Sequence, residues 1–184
     1  LAAALAVNLR ASVAVAGTTS LGLTTARAMV VDPGTGRVFV AGDDRVVVLA
    51  PDGTVVGSVP NIYGAWGMDA TQGFIWVNES TAGKIAKVDP SSLAVVQTFT
   101  VGTTVGDNLA IVGTTAWIGN TNQWSPVLRF DLSTSTTTTT GSFSSPYAVR
   151  IPGTSSAVVV YMRGISNGQM TKLSTSAPYA TLQT

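Results

Sequence analysis

The sequence predicts an all-β protein made of repeated four-stranded antiparallel units. Short segments rich in Val, Ile and Thr alternate with turn sequences such as "DPGTG", "APDGT" and "DPSSL". In such turns Asp caps the backbone, Pro fixes φ and Gly accepts a positive φ. No apolar pattern with a helical period extends over about 11 residues or more, so we expect very little helix. The third observation is that this strand-and-turn pattern occurs four times along the 184 residues.

The four copies of the unit begin at Ala28, Trp66, Asn108 and Tyr147. The residues that close the third strand of each copy are 39, 42 and 43 residues apart; they are Ala50, Asp89, Asp131 and Ser174. This period is close to the roughly 40 to 45 residues of a four-stranded propeller blade. One such meander cannot bury both of its apolar faces, but similar neighbours arranged around an axis can. We therefore expect a β-propeller with about four blades plus part of another.

The turns justify the elements of each unit in order. "DPGTG", "ATQG" and "PGTSS" end the first strand of three units, and "APDGT", "DPSSL" and "DLSTS" separate the third strand from the fourth. The third unit shortens its first turn to "VGTT" and contains the run Thr136 to Thr140. Four acidic residues that occur at repeated positions are interpreted as turn formers; they are Asp32, Asp69, Asp89 and Asp131. The predicted blades cover residues 27–64, 65–106, 107–146 and 147–184.

Residues 1–26 are predicted to be the last strands of a preceding blade, or strands that close the ring. Their opening stretch, "LAAALAVNLRASVAVA", is too short for a membrane helix, which needs about 18 apolar residues. Two interpretations stay open: the chain is part of a larger propeller, or it is a complete four-bladed ring or open arc. Because an open arc leaves strand edges unpaired, self-association through the end blades would then be expected.

Two segments of the repeat resemble a known superfamily. "DPGTGRVFVAG" with "RVVVLAPDGTVVGSV", and "GKIAKVDPSSLAVVQTFTVG", are similar to repeats of the YVTN and NHL-like β-propellers of secreted and surface-layer proteins. The likeness covers residues 26 to 184 and is best in the first two units; the fourth has "KLSTS" where the pattern has "KVDPS". The resemblance implies roughly six to eight blades and a fold that hosts many activities.

The composition excludes several classes of function. Charged residues make up 10% of the chain, its formal charge is +1, and the basic residues are scattered, so we expect no nucleic-acid partner and no membrane span. Cys and His are both absent, which removes thiol chemistry, His-based triads and most transition-metal sites. We expect no cofactor and no metal. A surface covered by Ser, Thr, Asn, Gln and Gly favours an extracellular or cell-surface protein.

In a propeller the innermost strand of each blade lines the axial channel, and the loops that lead into it form a ligand-binding mouth. The candidate binding residues at this mouth are Tyr63, Trp66, Asp107, Asn108, Tyr147 and Arg150. Aromatic rings, amides and a carboxylate at one mouth would bind a sugar or a peptide. The alternative is that Trp66 and Tyr147 pack between blades. Trp124, in the polar loop "GNTNQWSP", is a candidate interaction residue or a local support of its loop.

These observations favour a non-enzymatic extracellular scaffold or interaction module whose partner is a protein, a glycan or a second copy. Two alternatives stay open. One is a carbohydrate- or peptide-binding propeller that uses the channel mouth. The other is a fragment of a propeller lyase or hydrolase whose catalytic residues lie outside this chain. Lyases with similar repeats rely on His and a divalent metal, and this chain contains no His.

Overall fold

The described part of the chain forms four antiparallel sheets of four strands each, so the all-β propeller-blade prediction is confirmed. The structure is a computed structural model that describes residues 18–102, 106–151, 154, 156–163, 168–176 and 179–183. Within these residues the helical content is a single 3-10 turn at Ser80–Ala82. No helix in the described part of the chain has the length and apolar character required to cross a membrane.

Each sheet runs in sequence order from its first strand to its fourth, as an up-and-down meander. Blade 1 contains β1 (Ala28–Val31), β2 (Val38–Ala41), β3 (Arg45–Leu49) and β4 (Val55–Pro60). Blade 2 contains β5 (Ala65–Thr71), β6 (Phe74–Glu79), β7 (Lys84–Val88) and β8 (Val95–Thr100). Blade 3 contains β9 (Ala110–Val112), β10 (Thr115–Ile118), β11 (Ser125–Asp131) and β12 (Thr136–Phe143). Blade 4 contains β13 (Pro146–Arg150), β14 (Ala157–Met162), β15 (Met170–Ser174) and β16 (Thr181–Gln183).

Three of the four acidic residues interpreted as turn formers do cap turns. The carboxylate of Asp32 accepts hydrogen bonds from the backbone and hydroxyl of Thr35. Asp89 accepts from the N–H of Ser91, and Asp131 accepts from Ser133. Such local bonds fix the reversal between strands and so set the register of the hairpin.

The prediction for Asp69 is wrong, because this residue lies inside β5. The reversal after β5 is made by Gln72 and Gly73, which both have positive φ (57° and 76°). Two such residues in succession are typical of a hairpin turn of the I′ kind, which needs no acidic cap. The side chain of Asp69 is therefore available for contacts with other blades.

The core lies between the sheets. A large buried side chain from the second strand of blades 1, 2 and 3 enters the interface with the next blade; these residues are Phe39, Trp76 and Trp117. Each is no more than 3% exposed, so all three belong to the core. Blades 1, 2 and 3 thus each have a front face that packs on the back face of the next blade.

The inner strands β1, β5, β9 and β13 lie side by side in that order. Among the described strands, extensive contacts between sheets join consecutive blades only, so three interfaces are formed. The prediction for residues 1–26 stays a prediction: residues 1–17 lie outside the described part, and residues 18–27 lead into β1 without forming a strand. The division into domains at the predicted boundaries also stays a prediction.

Candidate functional site

The topology brings two sets of loops to one end of the four sheets. All four inner strands begin at this end, and the hairpins that join second to third strands return to it. We call this end the upper face; its loops include residues 42–44, 61–64, 119–124 and 144–145. The other end, with the turns that join first to second and third to fourth strands, is the lower face. All but one of the candidate residues lie at the upper face.

Trp66 lies at the upper face between blades 1 and 2 and is half-buried. The guanidinium of Arg27 lies over its indole ring, 4.1 Å from the centroid. Arg27 also forms an ion pair with Asp43, with 3.3 Å between Nε and Oδ1. The backbone carbonyl of Asp43 accepts a hydrogen bond from the N–H of Gly64. The hairpin of blade 1 that carries Asp43 is therefore joined to the segment that leads into blade 2. The carboxylate thus positions the cation, and the cation covers the ring.

A similar arrangement surrounds Tyr147 at the interface of blades 3 and 4. The guanidinium of Arg163 lies 5.0 Å from the centroid of the Tyr147 ring, and it pairs with the carboxylate of Asp107. Asp107 comes from the segment that leads into blade 3, whereas Tyr147 and Arg163 belong to blade 4. The upper face therefore carries two separate aromatic–arginine–carboxylate groups rather than one convergent mouth.

Asn108 is a structural contact between blades rather than an exposed ligand group, since it is only 2% exposed. Its Oδ1 accepts from the N–H groups of Gly119 at 2.9 Å and Ala148 at 3.2 Å, and its Nδ2 donates to the carbonyl of Ala148. All the polar atoms of the amide are thus occupied by backbone groups. Asn108 joins the inner strand of blade 3 to that of blade 4.

Tyr63 and Trp124 are the freely accessible aromatic residues among the candidates. Tyr63 lies on the connection from blade 1 to blade 2, and its hydroxyl is 3.4 Å from Oδ1 of Asn61. Trp124 closes the β10–β11 hairpin with a positive φ of 58°, and its carbonyl accepts from the hydroxyl of Ser142. The backbone of Trp124 is therefore held while its ring is presented to solvent.

Arg150 does not lie with the other candidates. It is the last residue of β13, whose first residue is at the upper face, so it lies toward the lower face. Its guanidinium pairs with Asp69 of blade 2, with 3.2 Å between Nε and Oδ2, and donates to the carbonyl of Ala70. Asp69 also accepts from the N–H of Ile111 in blade 3 at 2.8 Å. The ion pair and this hydrogen bond together connect blades 2, 3 and 4, and the two charges of the pair compensate each other.

The carboxylates of the two aromatic–arginine groups, Asp43 and Asp107, each pair with an arginine. No group of three or more acidic side chains converges in the described ranges in a way that could hold a metal ion. The arginines next to the two rings set the orientation of each ring before a ligand arrives.

Arg27, Asp43 and Arg163 are the residues of this face that the sequence did not identify. Each contacts an aromatic ring or its arginine across a loop or a blade boundary, at a sequence separation set by the fold. The available signal was limited: Arg27 directly precedes the first inner strand, and Arg163 directly follows β14. Neither position indicates which ring the guanidinium covers.

Comparisons with known proteins give a fold and no family. No family model matches the chain, and no curated protein matches it. Among solved structures it is similar to Kuenenia stuttgartiensis hydrazine synthase, with a TM-score of 0.66 and 16% identity over 92% of this chain. It is also similar to Saccharomyces cerevisiae Sqt1, with a TM-score of 0.56 and 13% identity over 81% of this chain. A functionally unknown protein from Desulfotomaculum acetoxidans DSM 771 gives a TM-score of 0.60 and 13% identity over 89%.

At these identities the likeness shows the fold alone. The matches cover 51%, 45% and 56% of those three chains, so this chain spans about half the length of the solved structures it resembles.

Proposed function

We propose that this chain is a non-enzymatic interaction module, a YVTN- or NHL-like propeller scaffold that acts outside the cell or at its surface. The observation that carries the proposal is the organisation of the upper face. Trp66 and Tyr147 are each held under an arginine that a carboxylate positions, and the exposed Tyr63 and Trp124 lie on loops of the same face.

The physical reason concerns the entropy of binding. Large aromatic side chains give much contact area for few rotatable bonds, and they dominate the energetics of many interfaces. Rings that are fixed before binding lose less conformational freedom on association. The scarcity of charged residues supports the extracellular assignment, because the chain relies on Ser and Thr for its polar surface.

The experiment that tests this proposal uses arrays of glycans and peptides with the purified chain and two variants. Trp66→Ala removes a ring of the upper face, and we expect it to weaken binding to the recognised probe by about tenfold or more. Val96→Ala is the matched control, because Val96 is an exposed residue of the outer strand β8, away from the upper face.

Circular dichroism of each variant separates a lost contact from a lost fold. Binding that is lost in folded Trp66→Ala and kept in Val96→Ala supports the proposal. Absence of binding to every probe, or an equal loss in the two variants, contradicts it. For the location, detection of the protein inside intact cells only, by surface labelling and fractionation, would contradict the extracellular assignment.

A glycan is the second candidate for the molecule that the upper face binds, and the exposed ring of Trp124 favours it. An indole that protrudes from a hairpin with a fixed backbone presents a flat apolar surface of the kind that stacks on a sugar ring. Trp124→Ala tested on the same array distinguishes the two candidates. Loss of glycan signals with peptide signals unchanged indicates sugar binding, and the reverse pattern indicates a protein partner.

A further inference from the structure

The side chain of Arg129 is buried between blades 3 and 4 although it carries a charge. Arg129 lies on β11, directly opposite Trp117 of β10; it is 5% exposed, and Trp117 is completely buried. The Cζ atom of Arg129 is 3.2 Å from the ring centroid of Tyr179 in blade 4 and 5.6 Å from that of Trp117. The two rings also meet edge to face, so the three side chains form one group across the interface, which we call the Arg129 cluster.

No carboxylate forms an ion pair with this cation in the described part of the chain. The four ion pairs found there all use other arginines. The core around Trp117 and Tyr179 is apolar and includes Phe143 and Leu173. A guanidinium stays protonated throughout the pH range of folded proteins. Because buried charges are normally paired, Arg129 is a cation whose counter-charge the described residues do not supply.

The Arg129 cluster also contains hydrogen-bond donors without acceptors. Nε of Arg129 and Nε1 of Trp117 are both buried, and no described group accepts a hydrogen bond from either. The contact with Tyr179 compensates the charge through the face of the guanidinium, but its N–H groups lie in the plane of the cation and still need acceptors. Buried donors without acceptors are rare in folded proteins and often mark the place of a bound ion or water. Both unpaired atoms are donors, so the group that completes them is an acceptor.

We propose that a small monovalent anion, a halide or a carboxylate as small as formate, binds beside the guanidinium of Arg129 and the indole N–H of Trp117. Because Cζ of Arg129 is 5.6 Å from the centre of the Trp117 ring, one acceptor about 3 Å from each nitrogen can contact both. A single negative charge neutralises the single buried cation. A sulfate or phosphate would bring further oxygens for which this apolar core has no donors, so the small size of the ion is part of the assignment.

The anion would stabilise the interface between blades 3 and 4. Arg129 and Trp117 belong to blade 3 and Tyr179 to blade 4, and a neutralised cation costs less to bury than an unpaired one. The unfolded chain does not hold the donors together, so the anion binds the folded state only and raises its stability with concentration. The site is buried between blades, so the assignment does not depend on the ligand proposed for the upper face.

The test is the thermal unfolding of the full 184-residue chain, followed by circular dichroism while chloride replaces gluconate at constant ionic strength. Gluconate is too large for the site, and a constant ionic strength keeps general screening equal. We expect Tm to rise by about 3 °C between zero and about 200 mM chloride, with bromide and formate acting in the same way. The line width of the chloride signal in nuclear magnetic resonance gives a second measure, since bound chloride broadens it.

Three variants assign the response to the Arg129 cluster. Arg129→Met removes the cation and keeps an unbranched apolar chain, so both responses to chloride should disappear. Arg37→Met is the matched control: the guanidinium of Arg37 donates to the carbonyls of Pro90 and Ser91, so its removal should leave both responses as in the wild type. Trp117→Phe keeps the cation and a ring but removes the indole N–H, so it should need several times more chloride for the same rise in Tm.

Responses that are lost in Arg129→Met and kept in Arg37→Met support the anion site. If Arg129→Met does not fold, a weaker response of folded Trp117→Phe supports it instead. A wild type whose Tm and chloride line width do not change with chloride overturns the proposal. So does a chloride response that is as large in the Arg129 or Trp117 variant as in the wild type.

Discussion

Asn108 shows how one side chain can hold two blades together. Its amide satisfies the N–H groups of Gly119 and Ala148 and the carbonyl of Ala148, all within a buried environment. Asn108→Ala leaves these three backbone groups without partners, and a buried unsatisfied group costs about 1 to 3 kcal/mol. We expect the free energy of unfolding, measured with urea, to fall by about 3 kcal/mol.

The matched control for this substitution is Asn120→Ala. Asn120 uses the same amide to accept from the N–H of Asn122, but in a solvent-exposed loop, where water can replace the lost bond. Its effect should stay below about 1 kcal/mol. Equal losses in the two variants would show that Asn108 does not act through its buried contacts with blade 4.

The turn aspartates make stability depend on pH. The hydroxyl of Ser133, followed by the N–H groups of Ser133 and Thr134, lowers the pKa of Asp131 below its ordinary value. The folded chain therefore binds a proton at this site less readily than the unfolded chain. The resulting stabilisation is present above the unfolded pKa, near about 4, and is lost as pH falls through the lower folded pKa.

We accordingly expect Asp131→Asn to be less stable than the wild type at pH 7, with a difference that shrinks as the pH is lowered below about 4. Urea unfolding at a series of pH values checks this. Ser133→Ala removes the hydroxyl donor and keeps the carboxylate. It should therefore also make the free energy of unfolding less dependent on pH, as Asp131→Asn does. If the free energies of unfolding of the wild type and Asp131→Asn changed with pH in parallel, the lowered pKa of Asp131 would not be the source of the pH dependence.

Aspartate also shows how far single residues can be interpreted from sequence. Asp32, Asp89 and Asp131 cap turns as predicted, because a turn is local and its signals lie within a few residues. Asp69 occurs at a similar point of the repeat but bonds Ile111 and Arg150, which are 42 and 81 residues away. No local signal carries that information, since the distance between these residues is set by the stacking of blades.

At the scale of elements, the inner strands approach each other closely where Gly67 faces blade 3. A Cβ atom at Gly67 would lie 2.5 Å from Cα of Asn108 and 2.7 Å from N of Leu109. Both are backbone atoms, so a rotamer change cannot relieve the contact. Gly67→Ala should force the inner strands of blades 2 and 3 apart and lower the free energy of unfolding in urea by about 2 kcal/mol.

Gly34→Ala provides the comparison, because the position is an exposed turn where the nearest atom to a Cβ is Oδ2 of Asp32 at 3.5 Å. Its stability should lie within about 0.5 kcal/mol of the wild type. A Gly67→Ala variant as stable as Gly34→Ala would mean that the strands are not in contact at this point.

The strands themselves could be predicted from the sequence, whereas the upper face could not. Turn residues and β-forming segments mark each element locally, and the repeat then indicates how the elements are arranged. Pairs such as Arg27 with Trp66, or Arg163 with Asp107, join different units. Which residues form such pairs depends on how neighbouring blades are offset along their strands. For the same reason the sequence assigned Arg150 to the upper face, although it lies toward the lower one.

At the scale of the whole molecule, the described blades are a row of sheets whose apolar cores lie between neighbouring blades only, while the Arg150–Asp69 ion pair also links blade 4 to blade 2. Blades 2 and 3 have both faces in cores, whereas blades 1 and 4 each have one face outside the three cores. In such a row, stability is roughly the sum of unit and interface terms, so an end unit with one interface opens more easily than a central unit with two.

Hydrogen exchange of backbone amides measures this gradient. We expect the slowest exchange in β6, β7, β10 and β11, and exchange at least about tenfold faster in β14 and β15. Uniform protection of the four sheets would contradict this description, because it would mean that the row opens as a single cooperative unit.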